Sequence, residues 1–199
     1  MRVNMNEEKK HRVCPVEKAG ILDFNFRKLL QNPRKILQPY VQEGMTALDL
    51  GCGPGFFTLP MARLVGKTGR VVAADLQQGM LDKARKKIAD AGLADVVTFH
   101  LCRPDAIGLR ETYDFILVFY MLHEVPDQAK FLHEIGSLVK PGGKVLIVEP
   151  KFHVTQDDFL EAIGLMKQAG LNVLAEPKIR FSRTVVAGSV GVQQPGNRL

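Results

Sequence analysis

Cysteine is scarce in this chain. Its 199 residues hold three, Cys14, Cys52 and Cys102. They lie far apart and form no C-x-x-C pair, so no metal site and no redox motif is expected. Reduced thiols and a cytoplasmic setting are the expectation. No apolar run approaches the length of a membrane span, and the first ten residues, M-R-V-N-M-N-E-E-K-K, lack the apolar core of a signal peptide. Internal repeats and low-complexity segments are absent, and no convincing boundary divides the central part of the chain. The net charge is +6, yet aromatic residues do not interleave the basic runs at Lys9 to Arg12 and Lys83 to Lys87. Those runs therefore read as solvated surface rather than as a nucleic-acid footprint.

What remains is an ordinary globular composition, 46% hydrophobic and 24% charged, in a chain long enough to bury one sizeable core. The most informative stretch is A-L-D-L-G-C-G-P-G-F-F-T, Ala47 to Thr58. An apolar strand, Thr46 to Leu50, carries Asp49 and runs into glycines at Gly51, Gly53 and Gly55. A helix from about Phe56 to Val65 follows at once. This arrangement opens a nucleotide-type pocket at the carboxyl end of a parallel strand. The glycines supply unusual backbone angles and close approach to a ligand. Their spacing differs from the G-x-G-x-x-G of dinucleotide enzymes, which counts against an oxidoreductase.

Strands and helices then alternate. Strands are expected at residues 70–75, 96–101, 113–120 and 144–149. The helix after Asp75 carries Met80, Leu81, Ala84, Ile88 and Ala91 at 3.6-residue spacing. The next opens at Asp127, buries Phe131, Leu132, Ile135, Leu138 and Val139, and breaks at Pro141-Gly142-Gly143. A further helix runs from about Thr155 to Ala169. Two last strands, 172–176 and about 179–187, are separated by Pro177 and Lys178 and are expected to pair antiparallel. Such alternation is an α/β sheet with helices on both faces. Residues 15–41 read as two or three short helices interrupted by Pro33 and Pro39.

The D-x-G-x-G-x-G pattern resembles motif I of class I S-adenosylmethionine-dependent methyltransferases. Asp75 ends the second strand, 26 residues after Asp49, and matches the family's acidic motif II. F-Y-M-L-H-E-V-P-D, Phe119 to Asp127, resembles the segment after strand four in the small-molecule branch related to quinone and arsenite methyltransferases. L-V-K-P-G-G-K-V-L-I-V-E matches the family's turn before strand five. The D-P-P-Y type motif of enzymes that methylate amino groups of DNA or protein glutamine is absent. The resemblance covers about Gly44 to Ala187.

The resemblance implies a doubly wound, seven-stranded Rossmann-like sheet of order 3-2-1-4-5-7-6, mostly parallel with an antiparallel last strand. It implies residues 1–43 as a tail and helical lid, 44–190 as the cofactor-binding domain, and 191–199 as a tail. The implied cofactor is S-adenosyl-L-methionine, held by Asp49, Gly51, Cys52, Gly53, Gly55, Asp75, Leu76, Asp105 and Phe119. Asp75 would take both ribose hydroxyls. Asp105 is the candidate for the adenine amino group, two residues beyond that acid's usual position near Arg103. A small-molecule acceptor would meet Tyr120, His123, Glu149 and, from the lid, Phe24, with Phe26 and Cys14 nearby; Glu149 reads equally as a buried acid at the strand end. His123 and Glu124 are the candidates for proton removal, since ligands bind outside the carboxyl ends of the strands; Lys151 and His153 follow strand five in the same region. An RNA methyltransferase and a non-catalytic cofactor-binding regulator are the alternative readings. The expected partners are a small molecule and, in a homodimer, a second copy of the chain.

Overall fold

Continuous apolar runs, rather than alternating ones, build the centre of the sheet. The computed structural model describes residues 32–189. Strands β1 (Thr46–Leu50), β2 (Arg70–Asp75), β3 (Val97–Leu101), β4 (Tyr113–Phe119), β5 (Val139–Pro150), β6 (Leu171–Ala175) and β7 (Ser182–Ser189) form one sheet. Its order is β3-β2-β1-β4-β5-β7-β6, as the resemblance implied. The pairs from β3 through β5 are parallel, and β7 runs antiparallel to both β5 and β6.

The helices are α1 (Pro33–Leu37), α2 (Thr58–Val65), α3 (Gln78–Asp90), α4 (Gln128–Leu138) and α5 (Gln156–Gln168), with a short 3-10 turn at Leu122–Glu124. Two apolar layers result. Leu48, Leu50, Ile116, Val118 and Ile147 face a core shared with Leu132 and Ile135 of α4 and Phe159 of α5. Ala47, Phe115, Leu117, Leu146 and Val148 face the other core, with Met61 of α2 and Leu81 of α3. The α3 stripe buries Met80, Leu81, Ala84 and Ile88, while Ala91 lies beyond the helix end. Asp127 caps α4 by accepting the Lys130 N–H at 2.9 Å, and Thr155 with Asp158 forms a capping box on α5.

Three expectations needed correction. The helix after the glycine turn begins at Thr58, not Phe56, because Phe56 and Phe57 are buried in the turn, where their rings meet edge-on. Pro141 to Gly143 do not precede β5 but bulge within it. Tyr113 pairs with Val139, and the next partners are Phe115 and Lys144. The link between β6 and β7 is residues 176–181, longer than a two-residue turn, and β7 starts at Ser182. Of the helices expected over 15–41, α1 is the one within the described residues. The proposed lid, with Cys14, Phe24 and Phe26, lies outside them.

Candidate functional site

A parallel sheet with this order reverses direction beside β1, so the carboxyl ends of β1, β2 and β4 open a crevice. A cavity of about 660 Å³ lies there, within the usual range for a small-molecule pocket. Its wall holds Asp49, Gly51, Cys52, Gly53, Asp75, Leu76, Asp105, Phe119, Tyr120 and Glu124, all named from the sequence. Gly55, His123 and Glu149 are not on that wall. Gly55 serves packing: with φ of +78°, it lets the turn approach Ala84 of α3, whose Cβ would be 3.2 Å from an added Cβ.

The glycine turn is held from below and from the side. The N–H groups of Gly51 and Cys52 both donate to the Ala74 carbonyl, at 2.8 and 3.0 Å. Gly53 donates its N–H to Asp75 Oδ2 at 2.8 Å, and Gln77 donates its own to Asp75 Oδ1 at 2.9 Å. An added Cβ at Gly51 would sit 2.8 Å from Met121 Cγ, whereas one at Gly53 would meet nothing within 4 Å. The turn is thus closed beneath Met121 and open at Gly53, a cradle in which main chain can meet a ligand. Lys87 Nζ of α3 donates to the Pro54 carbonyl at 2.5 Å. Arg85 lies over the Phe99 ring and Lys86 pairs with Asp90, so this basic run is engaged locally.

Charge on the wall is one-sided. Asp49, Asp75, Asp105, Glu124, Asp127 and Glu134 stand against Arg103 and Lys130, and Arg103 lies 3.6 Å from Asp105. Asp49 is 2% exposed. Burial pushes its carboxyl up to about 7, opposed by the Thr58 hydroxyl that donates to it at 2.6 Å. Burial also raises Asp75, against the main-chain N–H groups that favour its charged form. The Cys102 thiol is pushed up to about 12 by burial and by the charges of Asp75 and Glu134, and burial raises Cys52 as well. These thiols are inert rather than nucleophilic. Among the described residues no cluster of three His, Cys, Asp or Glu groups could hold a metal ion.

The raised Asp49 gives a pH dependence with a definite sign. Between its unfolded value of 3.8 and its folded value of about 7, the folded state keeps a proton that the unfolded chain has lost. Its contribution to ligand-free stability is therefore full below the lower value and lost as pH rises through the higher. Asp49→Asn, which keeps an acceptor for Thr58, is expected to flatten the fall in stability over that window. Denaturant melts of both proteins across it check this, and an unchanged slope would remove Asp49 as its source.

The residues named from the sequence for the acceptor lie at the end of β4 and beyond. Phe119 packs on Phe57 at 4.3 Å and on Tyr120 at 4.5 Å between ring centroids. Tyr120 has a left-handed φ of +59°, a strain that such a residue tolerates where surroundings over-determine it. Its hydroxyl pairs with Ser182 Oγ at 2.6 Å and its N–H donates to the Val148 carbonyl. His123 stands beside the cavity, with Nδ1 2.6 Å from Glu149 Oε2 and its ring stacked on His153 at 5.8 Å. Sequence reasoning missed Thr58, Met121, Ser182 and Glu134. Glu134 Oε2 accepts the Ile107 N–H at 2.8 Å and so anchors the 103–107 loop to α4.

A crevice of this topology, a glycine cradle and an acid at the end of β2 together define a nucleoside-binding α/β protein of the methyltransferase type. A family model described as a methyltransferase domain matches residues 41–179. The chain belongs to that family, that of the class I S-adenosylmethionine-dependent methyltransferases. It is 38% identical over 109 residues to the demethylmenaquinone methyltransferase of Halalkalibacterium halodurans, covering 55% of this chain and 44% of that protein. It is 36% identical over 110 residues to the ubiquinone/menaquinone biosynthesis C-methyltransferase UbiE of Klebsiella pneumoniae, with the same coverage. The chain thus spans less than half the length of these curated relatives. A SAM-dependent methyltransferase from Aquifex aeolicus superposes with a TM-score of 0.75 and 28% identity, covering 86% of this chain and 95% of that one. Among the described residues no helix is long and apolar enough to cross a membrane.

Proposed function

We propose that this protein transfers the methyl group of S-adenosyl-L-methionine to a small-molecule acceptor. The observation that carries the reading is the acidic cavity over a glycine cradle. A pyrophosphate would meet six carboxylates there against Arg103 and Lys130. A cofactor that is cationic at sulfonium and ammonium is instead favoured by the acidic wall, and its charge would draw the buried Asp49, raised to about 7 in its absence, toward the carboxylate form. Asp75 serves the ribose, the open main chain at Gly53 and the buried Asp49 serve the amino-acid end, and Asp105 with the 103–107 loop frames the adenine. When bound, the cofactor supplies a methyl group whose bond to sulfur breaks, the pair leaving on sulfur, as the acceptor's pair bonds to carbon. The protein holds the acceptor in line and excludes water with Phe119, Tyr120 and Met121.

A quinone, the class that the names of the relatives print, is the acceptor class we favour, taken in its reduced form. Its hydroxyl must lose a proton for the ring to become a strong nucleophile. His123 is the base in this reading, and Glu124 of the same turn lines the cavity wall. Free Cys52 and Cys102 fit a cytoplasmic setting. Calorimetry with S-adenosyl-L-methionine and its demethylated product, followed by transfer of labelled methyl to demethylmenaquinol, tests the reading. Micromolar binding of both and a methylated product are expected. Absence of binding by either would overturn it.

A further inference from the structure

Glu149 closes β5 with a carboxylate that is 2% exposed, and N–H groups converge on it from the neighbouring turn. Its Oε1 accepts the Leu122 N–H at 3.1 Å, and its Oε2 accepts the His123 N–H at 3.1 Å. The His123 ring adds Nδ1 at 2.6 Å from Oε2. Two main-chain N–H groups already donate to this carboxylate, and its Oε2 faces the ring as an acceptor too. It then needs a hydrogen on Nδ1. A neutral imidazole has one such hydrogen, so Nε2 is left as the lone-pair nitrogen. The His153 ring, on the turn after β5, lies 7° from parallel to His123, with ring centroids 5.8 Å apart. Met121 and Glu124, on either side of His123, line the cavity wall.

We propose that Glu149 is a positioning residue, which fixes His123 in the Nδ1–H tautomer so that Nε2 receives the acceptor's proton. This rests on the reading of His123 as the base. In the step, the acceptor's O–H bond breaks, its proton passes to Nε2, and the electron pair stays on the acceptor. Glu149 takes no proton in the step and faces the imidazolium that forms. The logic is that of an acid that orients a histidine without taking its proton. Of the two readings the sequence left open for Glu149, substrate contact and buried strand-end acid, it takes the second.

The groups that face His123 are Glu149 from β5, Glu124 from its own turn and His153 from the turn after β5. Burial lowers the His123 pKa, but the hydrogen bond and charge of Glu149, with Glu124, outweigh it and the net shift is upward. Glutamine at 149 keeps the shape and one acceptor but presents an NH₂ in place of an oxygen. It would favour the Nε2–H tautomer and lower the His123 pKa.

Nitrogen-15 NMR of the histidine rings tests the proposal without any acceptor. The wild-type protein is expected to show His123 as Nδ1–H, titrating above the ordinary histidine value, and Glu149→Gln to reverse both. An Nε2–H tautomer in wild type overturns the proposal even if the variant does not fold. With demethylmenaquinol, Glu149→Gln is expected to lower kcat by about 100-fold, the lower end of such effects, with KM for S-adenosyl-L-methionine unchanged. The acid limb of kcat/KM should move to lower pH. His123→Ala should lose as much, and the double variant no more. Additive losses would mean a merely structural carboxylate and overturn the proposal. If His123→Ala is fully active while the tautomer result holds, the base reading fails and the positioning geometry does not.

Discussion

Asp75→Ala is expected to weaken S-adenosyl-L-methionine binding by about 100-fold or more while leaving the ligand-free protein folded. The carboxylate has two tasks. It accepts the Gly53 and Gln77 N–H groups, which sets the height of the glycine turn. In the proposed reading its remaining lone pairs accept the ribose hydroxyls at the end of β2. Hydrogen bonds to a charged group contribute about 1.5–3 kcal/mol each, so losing a bidentate pair reaches about 3 kcal/mol. The fold is less sensitive, because burial disfavours the charged Asp75 and its removal relieves that cost. Asp75→Asn, with one acceptor retained, should fall between the two. Calorimetry at fixed pH, with thermal melts of the ligand-free proteins, separates the effects. Binding of Asp75→Ala within threefold of wild type would take the ribose role from this residue.

The glycine turn and the acid after β2, which line the cavity, were legible in the sequence because they are local. Asp49, Gly51, Gly53 and Asp75 sit at strand ends, and strand ends can be read from apolar runs and glycine spacing. The sheet order followed from the resemblance, and the strict alternation of elements agreed with it. The region around His123 and Tyr120 was less legible because its contacts join distant segments. Glu149 and His123 were each named, but that one orders the other depends on the register of β4 on β5. The left-handed backbone of Tyr120 leaves no mark in a tyrosine's identity. Glu134 sits on the polar side of a regular apolar stripe, so periodicity places it in solvent. The structure instead gives it the Ile107 N–H. The β5 bulge was misread because Pro-Gly-Gly is also a common way to end a helix.

Helix α4 offers a sharper case of what the sequence conceals. Gly136 and Gly164 both lie inside helices, where exchange for alanine gains up to about 1 kcal/mol from backbone entropy. Their surroundings give opposite signs. A Cβ on Gly164 of α5 meets nothing within 4 Å, so Gly164→Ala is expected to stabilise. A Cβ on Gly136 would lie 2.3 Å from the Ala169 carbonyl oxygen, at the end of α5. That atom belongs to the main chain just before β6 and cannot swing aside as a side-chain tip can. Either α4 must lift off α5, or the α5–β6 joint must move. Overpacking of this kind costs about 1–3 kcal/mol, more than the helix gains. Gly136→Ala is therefore expected to lower Tm by several degrees, at roughly 2–4 °C per kcal/mol for a chain of this size. The change also reaches the site. Glu134, two residues earlier on α4, holds the 103–107 loop at the cavity wall, so lifting the helix is expected to loosen that wall and, in the proposed reading, to weaken cofactor binding. Thermal melts of the two alanine variants, with and without S-adenosyl-L-methionine, check both points. A rise in Tm for Gly136→Ala would mean that the two helices are not in that close contact.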